Sequence, residues 1–252
     1  MSRAEPESLQ GKCALITGAA RRIGAAIAEL LHRHGAKVAI HYRGAETEAA
    51  ALARRLNEVR ADSANIFAGD LAVTGAPASV VDAVVSWSGR LDILVNNASS
   101  FYPTPLGSIT EEQWTDLIGS NLKAPLFLSQ AAAAHLRANH GAIVNIVDIH
   151  AKRPLREHAV YASAKAGLVM LTRSLAKDLA PDVRVNAVAP GAIAWPENGM
   201  SDAVKENIAR QIPLGRSGEP ADIARSVLFL VRDATYSTGS ILTIDGGRSV
   251  GW

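Results

Sequence analysis

The stretch "KCALITGAARRIGAAIAELLHRHGAKVAIHY" (residues 12–42) decides the fold. It opens with a short apolar run, "KCALIT" (12–17), which is typical of a buried strand. After a glycine-containing turn, "RIGAAIAELLHRHG" (22–35) has helical period and closes at Gly35. "KVAIHY" (37–42) is typical of a second strand. This strand–helix–strand unit predicts two parallel strands, with a turn whose backbone N–H groups can approach a phosphate.

The same alternation of strand and helix continues along the chain. Further strands are predicted at 64–70, 91–99, 142–148, 183–191 and 240–245. An Ala-rich helix is predicted after the second strand, through about Val59, and further helical regions at about 111–138, 160–180 and 220–231. Repeated alternation predicts an α/β fold, a parallel sheet with helices on both faces. No linker or repeat divides the chain, so residues 1–252 are predicted to form a single domain. A Gly- and Pro-rich segment at about 191–218 follows a strand and is predicted to cover the substrate.

Composition limits the possible functions. The 252 residues are 48% hydrophobic, and a net charge of +2 with scattered Lys and Arg gives no reason to expect nucleic acid as a partner. The start "MSRAEPESLQ" has no apolar core, and no apolar run is long enough for a membrane span. The single cysteine, Cys13, cannot form an internal disulfide, which favours the cytoplasm. No His/Cys/Asp cluster has metal-ligand spacing, so no metal is expected.

Three polar residues point to acid–base chemistry. Tyr161 and Lys165 are four residues apart, on one helical face, where an ammonium group would favour the phenolate. Taken alone, the pair could equally be an ordinary amphipathic pair on a surface helix. Asp148 lies thirteen residues before Tyr161, at the end of a predicted strand, where it is either a proton donor or the cap of a turn.

Several motifs together resemble the short-chain dehydrogenase/reductase family. They are "TGAARRIG" (17–24), "NNAS" (96–99), Asn121, Tyr161 with Lys165, "PGAIA" (190–194), "IPLGRSGEPADIA" (212–224) and "DGG" (245–247). The resemblance implies a single-domain Rossmann-type doubly wound sheet and a nicotinamide cofactor. It also implies a catalytic set in which Asn121 positions a water of a proton relay and Lys165 holds the nicotinamide ribose.

The chain departs from the general family pattern at three positions, and at these positions it resembles one subgroup, the pteridine reductases. The bacterial dihydromonapterin and dihydrofolate reductases are close relatives of that subgroup. Arg22 replaces a glycine, Ser99 stands where glycine is common, and Asp148 replaces the catalytic serine. The run "NNASSFYPTPL" (96–106) supports the same resemblance. For Asp148 it implies a second proton donor beside Tyr161, because ring nitrogens of a pterin must be protonated as hydride reaches the adjacent carbon.

The resemblance also implies the binding residues. Those for the cofactor are Gly18, Arg22, Ile23, Gly24, Tyr42, Arg43, Asp70, Leu71, Asn97, Ala98, Lys165, Pro190, Gly191 and Ile193. Those for the substrate are Arg22, Ser99, Phe101, Asp148, Tyr161 and Trp195, with Phe101 stacking on a flat ring. Phe101 could instead belong to the core, Ser99 to a turn, and Asp70 to a helix cap.

The cofactor is predicted to be NADP(H). No acid follows the second strand to hold a ribose 2′-hydroxyl, while Arg22 and Arg43 favour a 2′-phosphate. The subgroup often has a further basic residue and a serine after Arg43, but Gly44 and Ala45 stand there. Which groups besides Arg43 hold the phosphate therefore stays open.

The resulting hypothesis is an NADPH-dependent reductase of pterins or dihydropterins, with dihydrofolate as a further possible substrate. The alternatives are a carbonyl reductase acting on groups such as 3-oxoacyl, and a non-catalytic NADP-binding regulator. Family resemblance also implies a homotetramer, with helices 111–138 and 160–180 at the main interface. In that assembly Trp252 would approach the pocket of a neighbouring subunit.

Overall fold

A computed structural model describes residues 8–194 and 201–250 of the protein. Its sheet contains seven strands: β1 (Cys13–Ile16), β2 (Lys37–Tyr42), β3 (Ala64–Ala68), β4 (Ile93–Asn96), β5 (Ala142–Ile146), β6 (Arg184–Pro190) and β7 (Ile241–Ile244). The α-helices of the described residues are α1 (Arg22–Arg33), α2 (Glu46–Val59), α3 (Ala76–Ser88), α4 (Glu111–Ile118), α5 (Ala124–Ala138), α6 (Ala159–Asp178), α7 (Asp202–Arg210) and α8 (Pro220–Leu228). The predicted alternation of strands and helices is confirmed.

The order of the strands positions the binding cleft. All neighbouring strands are parallel, in the order β3-β2-β1-β4-β5-β6-β7. The chain runs outward from β1 to β3 and then crosses to the other side of β1 at β4. This reversal opens a crevice at the carboxyl ends of β1 and β4, where ligands bind in sheets of this type.

Helices cover both faces of the sheet because successive strand residues point to opposite sides. Ile16 of β1 packs in a core with α1, α2 and α8, whereas Leu15 packs in a second core with α3, α5 and α6. Both side chains are fully buried, and burial of each contributes roughly 1.5–3 kcal/mol to stability. The Rossmann-type single-domain α/β fold expected from the sequence is confirmed.

The predicted helical region 111–138 contains a break. A π-helical turn, Gly119–Lys123, separates α4 from α5. Ser120 Oγ donates to the carbonyl of Asp116 at 2.8 Å, and Asn121 Nδ2 donates to that of Leu117 at 2.9 Å. Side chains that bond to carbonyls four residues earlier compete with the backbone ladder, which accounts for the wider turn.

Two helices were missing from the sequence prediction. Helix α3 begins with Ala76 and Pro77 after a left-handed Gly75, so a local start signal was present. Helix α7 lies within the predicted covering segment 191–218, of which residues 195–200 lie outside the described part of the chain. Among the described residues, no helix is long and apolar enough to cross a membrane, and no group of three or more His, Cys, Asp or Glu could hold a metal ion.

Candidate active site

A cleft of about 870 Å³ lies at the carboxyl ends of the central strands. Most of the residues predicted to bind cofactor or substrate line it: Gly18, Arg22, Ile23, Gly24, Tyr42, Arg43, Asp70, Leu71, Asn97, Ala98, Ser99, Phe101, Asp148, Tyr161, Lys165, Pro190, Gly191 and Ile193. Asn121 is fully buried and is not among the lining residues, while Trp195 and Trp252 lie outside the described residues.

The glycine turn after β1 has room for backbone only. Gly18 has a φ of +59°, and a Cβ there would lie 3.0 Å from the Cα of Ala98. At Gly24 a Cβ would collide with the carbonyl oxygen of Gly18 and the side-chain amide of Asn97. The turn therefore brings bare backbone to the N-terminus of α1, an arrangement that fits the pyrophosphate of a dinucleotide.

Thr17 and Asn97 connect this turn to β4. Thr17 Oγ1 accepts hydrogen bonds from the backbone N–H groups of Asn97 and Ala98, both at 2.9 Å. The amide of Asn97 in turn donates to the carbonyls of Thr17 at 2.8 Å and Gly18 at 3.1 Å. These bonds hold the walls of the crevice on either side of the β1–β4 boundary together.

His41 supports the turn from the side of β2, a role that the sequence analysis missed. The N–H of Gly18 donates to His41 Nδ1 at 3.2 Å, and His41 Nε2 lies 3.0 Å from the carbonyl of Gly69. Burial lowers the pKa of His41 to about 4, so the ring is neutral and Nε2 carries the proton that it donates. The contact joins strand β2 to the turns that follow β1 and β3, and no local sequence signal predicts it.

Two arginines of the cleft make contacts across it. Arg22 has a φ of +52°, and its Nη2 donates to the carbonyls of Ile193 and Ala194 at 3.3 and 3.2 Å. Arg43 Nη1 lies 3.5 Å from Oδ1 of Asp116 on α4. Both of these cationic side chains line the cleft.

Asp70 lines the cleft, and its local contact is within a turn and is not the helix cap considered as its alternative role. Its Oδ1 accepts a hydrogen bond from the N–H of Ala72 at 3.0 Å. This bond fixes the turn that follows β3. The rim of the cleft also includes Leu155, Ile208 and Arg248, which no motif indicated.

Asp148 makes two hydrogen bonds, one to the backbone and one to the side chain of Tyr161. One carboxylate oxygen, Oδ1, accepts the N–H of His150 at 2.8 Å and caps the short 3₁₀ turn Ile149–Ala151. The other oxygen, Oδ2, accepts the hydroxyl of Tyr161 at 2.7 Å. The two roles considered for Asp148 are therefore geometrically compatible, because each uses a different oxygen.

Tyr161 and Lys165 lie on the same face of α6, both buried. Burial, and then the charge of Asp148, raises the pKa of Tyr161, whereas spacing alone had suggested that Lys165 favours the phenolate. Lys165 Nζ donates to the carbonyl of Ile146 at 2.9 Å, and burial lowers its pKa to about 8. Tyr161 therefore keeps its proton at neutral pH and holds it in the hydrogen bond to Asp148.

Aromatic side chains lie beside Tyr161. Phe101 is 54% exposed, stacks on His158 with ring centroids 4.8 Å apart, and meets the ring of Tyr161 edge-on at 4.8 Å. Ser99 Oγ donates to Oδ1 of Asn121 at 2.7 Å, and the amide of Asn121 donates to the carbonyl of Ser100 at 2.9 Å. Asn121 thus positions the loop that carries Ser99 and Phe101.

The strand order and the glycine turn after β1 are of the dinucleotide-binding α/β type. A family model described as "Enoyl-(Acyl carrier protein) reductase" matches residues 18–249. The chain belongs to the short-chain dehydrogenase/reductase family, whose members use NAD(P)H. It is therefore an oxidoreductase of this family.

Two kinds of relative are about equally similar to the chain. "Pteridine reductase 1" of Leishmania tarentolae is 38% identical, with 94% of this chain and 96% of the relative covered. "3-oxoacyl-[acyl-carrier-protein] reductase FabG" of Staphylococcus aureus is 39% identical, with 94% and 97% covered. Overall identity does not distinguish pterin reduction from 3-oxoacyl reduction, so substrate class must be argued from individual residues.

Proposed function

We propose that the protein is an NADPH-dependent reductase of pterins or dihydropterins. One observation carries the proposal: the hydroxyl of Tyr161 and the carboxylate of Asp148, 2.7 Å apart, both line the cleft. A ketone needs one proton at its oxygen, which a tyrosine alone can donate. A pterin needs protons at ring nitrogens, and a carboxyl group beside the tyrosine gives a second group that can carry them.

The surrounding residues suit a flat heterocycle. The exposed ring of Phe101 offers a surface for stacking, and Ser99, on the same loop, offers a hydroxyl for contact with the polar edge of the substrate ring. When bound, the nicotinamide cofactor supplies the hydride. Tyr161 holds the proton at Oη, Asp148 fixes the hydroxyl through Oδ2, and Lys165 anchors this region to β5.

A substrate comparison tests the proposal. NADPH oxidation should be followed with biopterin, dihydrobiopterin, dihydromonapterin, dihydrofolate and a 3-oxoacyl thioester under identical conditions. We expect the highest kcat/KM with a pterin or dihydropterin. A clear preference for the thioester would favour the carbonyl reductase, the alternative that the Staphylococcus aureus relative supports. Cofactor binding without turnover of any of these compounds would favour a regulator.

The proposed preference for NADPH rests on Arg22 and Arg43, two guanidinium groups that line the cleft. Replacing Arg43 with Ala should weaken NADPH binding about tenfold, because one charge-assisted contact to phosphate is lost. NADH binding should change little, since it lacks the 2′-phosphate. Titration of both cofactors by fluorescence checks this, and equal losses for the two would contradict the assignment.

We further propose a homotetramer whose main interface is formed by the helices of regions 111–138 and 160–180. Apolar side chains on these helices are exposed in the single chain: Trp114, Leu126, Phe127 and Met170. Light scattering should give a mass four times the 26.5 kDa of the chain. Phe127→Glu should lower that mass, because an interface core disfavours charge. A monomeric wild-type protein at micromolar concentration would refute the assembly.

A further inference from the structure

An ion pair bridges the crevice in which the cofactor is proposed to bind. Arg43 follows β2, Asp116 belongs to α4, and their Nη1 and Oδ1 atoms are 3.5 Å apart. Strand β2 lies on one side of β1, and β4, which leads to α4, lies on the other. The two charges therefore come from opposite sides of the crevice and meet above it.

The carboxylate is the fixed member of this pair. Asp116 Oδ2 accepts the hydroxyl of Tyr102 at 3.0 Å, and Oδ1 accepts that of Ser100 at 3.2 Å. Asp116 is also less exposed than Arg43, with 34% of its side chain accessible against 58%. A long arginine side chain has rotamers that reach either this carboxylate or another anion at the mouth of the cleft.

Among the described residues few other cations are available at this end of the cleft, because Arg22 already donates to the carbonyls of Ile193 and Ala194. Gly44 and Ala45, which follow Arg43 along the lining, carry no charge, and Arg21 already lies 3.4 Å from Glu48. A phosphate on the adenosine ribose would depend mainly on Arg43. That residue is engaged by Asp116 in the free protein.

We propose that Asp116 competes with the cofactor's 2′-phosphate for Arg43 and so limits the selectivity for NADPH over NADH. This inference rests on the proposed preference for NADPH. A phosphate that binds Arg43 must replace the carboxylate of Asp116 as its partner. The phosphate is then also repelled by the negative charge of that carboxylate. A nucleotide without the 2′-phosphate leaves the ion pair intact. Asp116 is therefore a specificity-determining residue that touches neither the hydride nor the substrate.

Calorimetry with two small probes tests the proposal without any turnover. Adenosine 2′,5′-bisphosphate carries the distinguishing phosphate, and adenosine 5′-monophosphate lacks it. Asp116→Asn should tighten binding of the bisphosphate about two- to fivefold, the range that one exposed ion pair accounts for. Binding of the monophosphate should stay unchanged. The amide oxygen of Asn can still accept the Tyr102 or Ser100 hydroxyl, so the fold is preserved.

Three controls separate charge from other effects. Tyr102→Phe removes a hydrogen bond to Asp116 but keeps its charge, and should leave both affinities unchanged. Asp222→Asn, on α8, removes an acid that pairs with Arg216 and Arg225 away from the crevice, and should also change neither. In an Arg43→Ala background, the gain from Asp116→Asn should shrink because the pair no longer exists.

The decisive outcomes are distinct. Weaker or unchanged binding of the bisphosphate to folded Asp116→Asn would overturn the proposal, as would an equal gain for both probes. Pterin turnover does not enter these measurements, so failure of the pterin assignment would appear only in the substrate comparison. If the wild-type protein binds the bisphosphate no more tightly than the monophosphate, the NADPH assignment is refuted, and this inference with it.

Discussion

Tyr161→Phe is expected to lower kcat about 100- to 10,000-fold for every reducible substrate, the usual cost of losing a positioned proton donor. Burial and the charge of Asp148 raise the pKa of Tyr161, so its hydroxyl is protonated at the pH of the assay. The phenyl ring of the variant has no proton to donate at this position. The loss should extend to pterins and ketones alike, because both require a proton at this place.

The phenyl ring should preserve the surrounding structure. The edge contact with Phe101 at 4.8 Å and the approach of Lys165 to the ring at 5.7 Å involve the ring and not the hydroxyl. NADPH affinity and thermal stability should therefore stay near the wild-type values. Single-turnover kinetics at saturating NADPH would measure the chemical step directly.

Tyr102→Phe is the matched control for this variant. Tyr102 also donates its hydroxyl to a carboxylate, Oδ2 of Asp116 at 3.0 Å, but does not line the cleft. Removing that hydroxyl should leave kcat within about twofold of wild type, since Tyr102 is half-buried outside the cleft and has no hydrogen bond to Asp148 or Tyr161. A folded Tyr161→Phe enzyme with kcat reduced less than tenfold would exclude Tyr161 as the principal proton donor.

The fold was largely predictable from the sequence because buried parallel strands leave short apolar runs, and β1, β2, β5 and β6 all did. The exceptions have local causes. The π turn around Asn121 depends on two side chains that bond to carbonyls of the preceding turn. The spacing of apolar residues in this region is that of a continuous helix, so the sequence pattern did not indicate the break. Helix α3 was missed although Gly75 and Pro77 marked its start.

The site was predictable only as a set of residues. Motif resemblance placed Asp148, Tyr161 and Lys165 together, but spacing carries no information on burial. Burial, and then the charge of Asp148, raises the pKa of Tyr161, opposite to the direction that the spacing suggested. The support of Gly18 by His41 and the pairing of Arg43 with Asp116 join residues far apart in sequence, so they emerge only from the folded chain.

The two oxygens of Asp148 allow its capping and chemical roles to be separated. Serine at this position can still accept the N–H of His150 and cap the turn, but its hydroxyl is shorter than the carboxylate that reaches Tyr161 Oη. Asparagine keeps both the shape and the cap, and removes only the ionisable group. Comparing Asp148→Ser with Asp148→Asn therefore distinguishes the need for a carboxyl group from the need for a particular length.

Both variants are expected to reduce dihydrobiopterin about 100- to 10,000-fold more slowly while still binding NADPH, because neither can carry a proton for a ring nitrogen. A simple activated ketone should be affected far less, since Tyr161 retains the single proton that its oxygen needs. The ratio of the two kcat/KM values is the measurement, and it is insensitive to a partial loss of folded enzyme. If Asp148 only caps the turn, Asp148→Ser should keep near-normal pterin turnover, and that result would reject its catalytic role. If both substrates lose equally, Asp148 acts through the orientation of Tyr161, and the argument for a ring C=N substrate loses its main support.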